Sequence, residues 1–164
     1  MLTRTPRTPL VGVVLTMLAM LTALLPAASV QADPSAALSV QQSVTRYQAQ
    51  ARAVTNNRRE AHDLVKLRRG KCVQRFARRQ ASWMARHETM KHQDLGPILR
   101  RCNLRSVGEN VAYGYPTGRA VVRAWMHSKG HRANILNPGY RLLGMAMRRS
   151  DNGTPYAAQV FGRR

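Results

Sequence analysis

The stretch over residues 108–144 constrains the fold of this chain more than any other. An acid, Glu109, lies between a glycine and an asparagine, and a short amphipathic run that ends in Trp125 follows it. The turn sequence Gly-His-Arg at Gly130 then leads into an apolar segment. Ordinary globular sequence seldom combines Glu, Trp and His among so many turn residues. The stretch therefore predicts a polar, histidine-containing cleft.

The beginning of the chain has the composition of a secretory signal peptide. Arg4 and Arg7 form a positive n-region, residues 10–25 are apolar, and small residues precede a cleavage site expected after Ala32. A retained membrane anchor is the alternative, but the apolar run is shorter than the roughly 20 residues that span a bilayer. The sequence thus predicts a secreted, extracellular protein from which residues 1–32 are removed.

The chain is strongly basic. Its 27 lysine and arginine residues outweigh 7 acids and give a net charge of +20, or about +18 without the leader. Such a charge attracts polyanions, and for a secreted protein we expect anionic lipid headgroups or acidic envelope polymers. Nucleic acid matches less well, because the basic runs are not interleaved with aromatic residues. The alternative is that the arginines only form a solvated surface.

Cys72 and Cys102 are the only cysteines. An even pair in an oxidising compartment predicts one disulfide, and closing a loop of about 30 residues would stabilise the fold by roughly 3–4 kcal/mol. A catalytic thiol or half of a metal site is the competing interpretation, but neither cysteine has a partner at C-x-x-C spacing. We therefore predict a structural disulfide.

The chain after the leader divides by composition. Residues 33–48 are rich in Ser, Ala and Gln, and are predicted to be a linker or a loose helical lead-in. Residues 49–164 are predicted to form one domain with a single core. Within this domain, residues 49–67 lack Gly and Pro, which predicts a helix. The apolar stripe from Val73 to His87, at three- and four-residue spacing, predicts a second helix.

The second half of the domain carries strand and turn signals. Residues 109–113 lie between glycines and predict a strand or extended edge, and Thr117 is the predicted N-cap of a helix that buries Trp125. Residues 141–148 and 156–161 predict two strands joined by an Asp-Asn-Gly hairpin turn. Helices come first and strands last without regular βαβ alternation, so the predicted fold class is α+β.

Glu109 is the acid that stands out as a candidate for chemistry, since Asn110 and two glycines hold the backbone closely around it. A carboxylate and two imidazoles from separate loops would hold a zinc-like divalent ion with one position open to water, or orient a small polar ligand without metal. His62 and His87 lie on predicted helices, where we expect surface or packing roles. The five histidines are His62, His87, His92, His127 and His131.

Two catalytic patterns fit the sequence poorly. His127 and His131 have the four-residue spacing of the zinc-peptidase HExxH helix, but Ser128 replaces the acid and Gly130 is predicted to end the helix before His131. A Ser128–His131 nucleophilic pair lacks both a GxSxG elbow and an orienting acid placed by the sequence. Neither pattern is the preferred interpretation.

An ordered set of motifs resembles bacterial members of the CAP superfamily (SCP/TAPS), which groups cysteine-rich secretory proteins, antigen 5 and pathogenesis-related 1 proteins. Residues 56–59 resemble its first-helix N-x-x-R motif, and residues 80–85 followed by His92 resemble the second helix and first cleft histidine. Residues 108–110 are its GEN motif. Residues 125–136 closely match the bacterial W-x-x-S-x-G-H-R-x-N-I-L form.

The resemblance extends over residues 54–161 and implies a single CAP domain, folded as a three-layer α-β-α sandwich with a central antiparallel sheet. It also implies a shallow cleft with two histidines and two acids, able to bind zinc or another divalent cation. Carried over by position, His92, Glu109 and His131 would be three of these four groups. Ser128 stands where many eukaryotic relatives have the fourth, a glutamate, which predicts weaker metal binding.

Two functions are consistent with this sequence. The first is a secreted, non-enzymatic binding module whose basic surface keeps it near the anionic cell envelope. Its cleft would hold a small ligand, a lipid or a divalent cation through His92, Glu109, Ser128 and His131. The second is a hydrolase of peptide or envelope substrates, with His131 as base, Glu109 or a bound cation activating water, and Ser128 as an alternative nucleophile.

The missing fourth acid and the missing nucleophile signature favour the binding module. A cationic membrane-active toxin fits less well, because the motifs and the disulfide specify a folded domain rather than an exposed amphipathic helix.

Overall fold

A computed structural model describes residue 2 and residues 34–164. The chain divides into two units, Met1–Gln31 and Ala32–Arg164, and the elements described belong to the second unit. Apart from residue 2, the predicted signal peptide over residues 1–32 lies outside the described residues. In the described part of the chain, none of the helices combines the length and the apolar character that crossing a membrane demands.

Five helices and four strands make up the described part of the chain. The helices are α1 (Pro34–Glu60), α2 (Lys71–His87), α3 (Gly96–Cys102), α4 (Gly118–His127) and α5 (Lys129–Ile135). The strands are β1 (Arg68–Arg69), β2 (Ser106–Tyr113), β3 (Leu142–Arg149) and β4 (Pro155–Arg163). The α+β class is confirmed.

The four strands form one sheet in the order β1-β3-β4-β2. β4 lies between β3 and β2 and is antiparallel to both. β1 pairs with β3 in parallel, through two residues only. Parallel pairing is possible here because the long connection through α2 to α5 provides the crossover. The predicted antiparallel sheet is therefore correct for three strands, and the short β1 makes the whole sheet mixed.

Helices cover both faces of the sheet. α1, α4 and α5 pack on one face, where Trp125 and Met145 are buried in a shared cluster. α2 and α3 pack on the other face, where Phe76 and Ala146 are buried. Neighbouring strand residues such as Met145 and Ala146 point to opposite faces, as the two-residue period of a strand requires. These layers form the predicted three-layer sandwich.

α1 differs from its prediction at both ends. Residues 34–48, within the predicted linker or loose helical lead-in, are the first half of this helix, so the expected domain boundary at residue 49 falls inside it. The helix is fixed there because Val44 and Tyr47 are buried against α4. The close approach needs Gly118, where a Cβ atom would lie 2.2 Å from the Tyr47 carbonyl oxygen.

The end of α1 comes earlier than the sequence predicts. Residues 49–67 carry no helix-breaking residue, yet α1 stops at Glu60. Asp63 has a φ of 55°, and the side chain of Asn56 holds the backbone of Leu67 by accepting from its N–H at 2.9 Å and donating to its carbonyl at 3.1 Å. A tertiary contact therefore terminates the helix.

The predicted disulfide between Cys72 and Cys102 is confirmed. It joins the first turn of α2 to the last turn of α3, with Cα atoms 5.6 Å apart. The bond therefore fixes α3 to the helix that packs on the sheet.

Gln74 of α2 occupies the outer edge of β3 where β1 has ended. Its Nε2 donates to the Met145 carbonyl at 2.9 Å, and its Oε1 accepts from the Met145 N–H at 3.2 Å. The buried amide thus takes the place of a neighbouring strand at this position.

Candidate functional site

The motif residues meet at the other edge of the sheet, which is formed by β2. Successive residues of an edge strand face opposite sides of the sheet. Glu109 faces the loop after α2, where it contacts His92. Asn110 faces α5, where its Nδ2 donates to the His131 carbonyl at 3.1 Å. The GEN motif therefore connects the two layers of helices across one strand.

Glu109 and His92 form a hydrogen-bonded pair. The carboxylate is almost completely buried, and its Oε2 lies 2.8 Å from Nδ1 of His92, whose side chain is 58% exposed. Gln93 adds two donors, its backbone N–H to Oε2 at 3.1 Å and its Nε2 to Oε1. Burial raises the pKa of Glu109, and the hydrogen bonds from Gln93 and His92 oppose that rise. The carboxylate thus orients His92, with Nδ1 of the ring as the donor.

His131 lies across the edge from this pair, on α5. Its ring centroid is 6.4 Å from that of Trp125, which is held in place because its Nε1 donates to the Val111 carbonyl at 3.1 Å. Burial lowers the pKa of His131, and the charge of nearby His92 lowers it further. A depressed pKa keeps this imidazole neutral at pH 7, so that it is able both to donate and to accept a hydrogen bond.

A cavity of about 570 Å³ opens beside His131. Ser128 and His131 supply its polar groups, whereas Met90 and Tyr113, both about half exposed, form an apolar rim. Tyr113 stacks on Tyr156, with ring centroids 5.7 Å apart. The full lining comprises Met90, Val111, Ala112, Tyr113, Gly114, Tyr115, Ala124, Trp125, Ser128 and His131.

The four predicted ligand-binding residues therefore separate into two pairs. Ser128 and His131 line the cavity, while His92 and Glu109 are hydrogen-bonded to each other outside its lining. Sequence reasoning missed the rim tyrosines, although the Tyr-Gly-Tyr sequence at residues 113–115 was a readable signal. It also missed Gln93, for which adjacency to His92 was the only clue.

The predicted metal ligands His92, Glu109 and His131 do not form a cluster of three in the described part of the chain. Within residues 34–164, no three His, Cys, Asp or Glu side chains lie close enough together to hold a metal ion. Both carboxylate oxygens of Glu109 already accept hydrogen bonds, and Ser128 offers a hydroxyl in place of a fourth acid. A metal site at His92, Glu109 and His131 stays a prediction.

Two asparagines and a glycine hold α5 against β2. Asn134 donates from Nδ2 to the Glu109 carbonyl at 3.0 Å and to Oδ1 of Asn110 at 2.9 Å. Gly108 leaves the room that this contact requires, because a Cβ atom there would lie 2.5 Å from the Tyr140 hydroxyl and 2.7 Å from Asn134 Oδ1. These motif residues therefore position His131 rather than bind a ligand.

The N-x-x-R motif is also a scaffold feature. Arg59 is fully buried and is not among the residues that line the cavity. Its Nε donates to the Val65 carbonyl at 2.9 Å. Its Nη1 donates to the carbonyls of Ile135 and Asn137, each at 2.8 Å, and its Nη2 to that of Tyr140 at 3.4 Å. The guanidinium thus ties the end of α1 to the chain that leaves α5.

The remaining histidines lie outside the site. His62 and His87 are exposed, and His62 lies just beyond the end of α1 instead of on a helix. Nδ1 of each ring donates a 2.8 Å hydrogen bond to the carbonyl four residues earlier. His127 ends α4, whereas His131 lies on α5, so the two do not share a helix. The prediction from the sequence that Gly130 would end the helix before His131 was wrong. Gly130 lies inside α5, and α4 and α5 are separated at Ser128, whose backbone is extended with φ −100° and ψ 123°.

Comparisons with known proteins agree with this architecture. The family model of the cysteine-rich secretory proteins, CAP, matches residues 52–161. The uncharacterized protein YkwD of Bacillus subtilis (strain 168) is 30% identical over 132 residues, which are 76% of this chain and 51% of that protein.

Solved structures show the same fold. An extracellular protein containing a SCP domain from Bacillus anthracis str. Ames is 26% identical with a TM-score of 0.68, over 83% of this chain and 45% of that chain. A cysteine-rich secretory protein from Staphylococcus aureus subsp. aureus Mu50 has a TM-score of 0.63 at 20% identity, over 74% of this chain and 39% of that chain. The chain spans about half the length of these relatives, or less.

The family model covers most of the folded domain, including α4, α5 and the whole of β2. The chain therefore belongs to the CAP family of cysteine-rich secretory proteins.

Proposed function

We propose that this protein is a secreted, non-enzymatic binding module that holds a small ligand in the cleft at the β2 edge. The observation that carries the proposal is the cavity of about 570 Å³ with an apolar rim and polar groups within. Its volume is that of a typical small-molecule site, which combines apolar walls with a few polar groups. Met90 and Tyr113 would contact the apolar part of the ligand, and Ser128 and His131 its polar part.

The position of Glu109 supports binding over hydrolysis. A general base or an activated serine needs a partner that orients it toward the substrate. Glu109 is the only acid in residues 108–144. Its carboxylate accepts hydrogen bonds from His92 and Gln93, and not from His131 or Ser128. The hydrolase alternative therefore lacks an orienting acid for its proposed base and nucleophile.

Export is supported by three independent features. The leader composition and the disulfide are typical of secreted proteins. The Bacillus anthracis protein that shares the fold is described as extracellular. A secreted protein with a net charge of about +18 would remain close to anionic envelope polymers or lipid headgroups. Salt should release that association, because screening weakens it.

Binding of the neutral amphiphilic dye Nile red, followed by its fluorescence, tests the cleft. We expect saturable binding that Met90→Ala/Tyr113→Ala weakens by about tenfold, because both apolar contacts at the rim are lost. The matched control is Leu38→Ala/Val65→Ala, which removes two exposed apolar side chains outside the cavity. No saturable binding by wild type, or equal weakening by both double variants, would overturn the proposal.

The metal and hydrolase alternatives have separate tests. In a calorimetric titration of zinc, saturable binding that is lost in His92→Ala/His131→Ala would establish the metal site predicted from the sequence. Hydrolysis of peptide or envelope substrates that is lost in folded His131→Ala would establish an enzyme and overturn the non-enzymatic role.

A further inference from the structure

Another cavity, of about 270 Å³, lies at the opposite edge of the sheet. It is bounded by α1, α2, β1 and β3, and neutral polar side chains from α1 and α2 form part of its wall. Its charged lining residues are Arg52, Arg69, Arg78 and Arg148. None of the residues that line it in the described chain is acidic. We call this space the arginine cavity.

Arg52 lines this cavity and has an unpaired donor. Its Nη1 is shielded from solvent and has no hydrogen-bond partner, and in the described chain it is the only buried side-chain nitrogen or oxygen in that condition. Buried polar groups are nearly always hydrogen-bonded, and leaving a charged donor unpaired is especially costly. An isolated orphan of this kind calls for an acceptor that the chain itself does not provide.

The charges around the cavity also indicate that an acceptor would come from outside the chain. Burial lowers the pKa of Arg52, and the neighbouring positive charge of Arg69 lowers it further. A guanidinium nevertheless stays protonated at neutral pH, so four positive charges share this small space. Among residues 34–164, the ion pairs within 4 Å are Lys66–Glu60 and His92–Glu109, and neither involves these arginines. A ligand that fits this cavity would therefore be negatively charged.

We propose that the arginine cavity binds a phosphate-type oxyanion, with the guanidinium of Arg52 as a central donor. Guanidinium groups present planar pairs of N–H donors that match the oxygens of phosphate, and such charge-assisted bonds are among the strongest in proteins. The group bound is either a free phosphate or the phosphate of an anionic lipid headgroup. This inference goes beyond the proposed function, because no residue of the arginine cavity lines the cleft.

Calorimetric titration of inorganic phosphate into the purified protein at low ionic strength tests the proposal. We expect saturable binding of one phosphate, weakened by about tenfold or more in Arg52→Gln/Arg69→Gln, because charged hydrogen bonds are lost. The matched control is Arg58→Gln/Arg105→Gln, which removes the same charge from exposed positions outside the cavity. We expect its Kd to change by no more than about twofold, since exposed charges are screened.

A second variant protects the test against a folding defect. Arg69 is exposed, so Arg69→Gln alone should leave the fold intact and still weaken phosphate binding. Nile red binding in the same samples reports on the cleft, and we expect both arginine variants to keep it. A failure of the phosphate site is thereby distinguished from a failure of the proposed function.

Vesicles distinguish the two sources of the phosphate group. If phosphatidylglycerol vesicles in phosphatidylcholine bind the control variant but not Arg52→Gln/Arg69→Gln, the group belongs to a lipid headgroup. If the two variants bind these vesicles equally while only the cavity variant loses inorganic phosphate, the ligand is a soluble phosphate. Absence of saturable phosphate binding by wild type, or equal loss in both double variants, would overturn the proposal.

Discussion

Arg52 and Arg59 lie about two turns apart on α1, and each carries guanidinium nitrogens out of solvent. Arg59 is satisfied within the chain, since four backbone carbonyls accept its hydrogen bonds. Arg52 has a buried Nη1 with no acceptor. The contrast indicates that burial alone does not distinguish an arginine that supports the fold from one that binds a ligand. The presence or absence of an internal acceptor does.

Thr55, between these two arginines, completes the comparison. It is fully buried, donates to the Ala51 carbonyl at 2.7 Å, and accepts from Gln159 Nε2 at 2.7 Å. The inward face of α1 thus contains several polar groups. Among the fully buried side-chain nitrogens and oxygens of its described residues, only Arg52 Nη1 has no partner, and Arg52 lines the arginine cavity.

The largest effect should come from Arg59→Gln. Four buried carbonyls would lose a charged donor, and we expect the free energy of unfolding to fall by about 3–5 kcal/mol. Urea denaturation of the variant and wild type measures this difference. A loss below about 1 kcal/mol would mean that water replaces the guanidinium easily, and the contrast with Arg52 would disappear.

Thr55→Val should give the next largest effect, because it removes the hydroxyl group that accepts a hydrogen bond from Gln159. Gln159 Nε2 would lose its acceptor in a fully buried position, which should cost about 1–3 kcal/mol. Thr55→Ser keeps the hydroxyl and is the matched control for the hydrogen bond. Equal losses in the two variants in urea denaturation would show that packing of the methyl group, and not the hydrogen bond, is responsible.

Replacement of His131 should change the free energy of unfolding by a smaller amount, and this change should depend on pH, unlike that of either arginine. Its folded-state pKa lies below the ordinary value of 6.5, so the unfolded chain takes up a proton first as the pH falls. The free energy of unfolding should therefore decrease from pH 6.5 downward, through the folded-state pKa. His131→Gln should remove this component, which urea titrations across that range would reveal as a flatter profile.

The contribution of Glu109 to the pH dependence of stability must be distinguished from that of His131, because its pKa is raised instead of lowered. Its folded-state pKa is raised above the ordinary value of 4.5, so its contribution to stability is largest at low pH and is lost as the pH rises through the raised pKa. The difference between wild type and His131→Gln isolates the histidine. A difference that stays constant with pH would contradict the assigned shift of His131.

The smallest effect is expected for Arg52→Gln. In chloride buffer, the free energy of unfolding should stay the same or rise slightly, because no hydrogen bond within the chain is lost and a costly unpaired charge is removed. In phosphate buffer wild type should become more stable and the variant should not, because ligand binding stabilises only the folded state that binds it. A loss in chloride as large as that of Arg59→Gln would place Arg52 in the scaffold instead.

Short-range patterns made much of this molecule predictable. Turn residues around Glu109, the cap at Thr117 and the hairpin between β3 and β4 each lie within a few residues of the element they specify. Thr117 Oγ1 accepts from the Ala120 N–H at 3.1 Å, as an N-cap does. The two cysteines left a single pairing, and the structure contains it.

Features built from distant residues were not predictable. The first half of α1 has a sparse apolar pattern, and its order depends on packing against α4. β1 has two residues and hence no periodicity. The arginine cavity draws its four arginines from four elements, and a chain with 27 lysine and arginine residues gives no sign of which of them converge.

The side chains at the two outer edges of the sheet have a consequence for self-association. An exposed strand edge is a template on which a second chain adds a strand, and such growth leads to aggregation. At one edge, the side chain of Gln74 forms hydrogen bonds with both the N–H and the carbonyl of Met145. At the other edge, Asn134 donates to the carbonyl of Glu109, and Trp125 donates to that of Val111. An incoming strand would first have to displace these side chains. These contacts therefore oppose the pairing of a second chain's strand at these positions of the two edges.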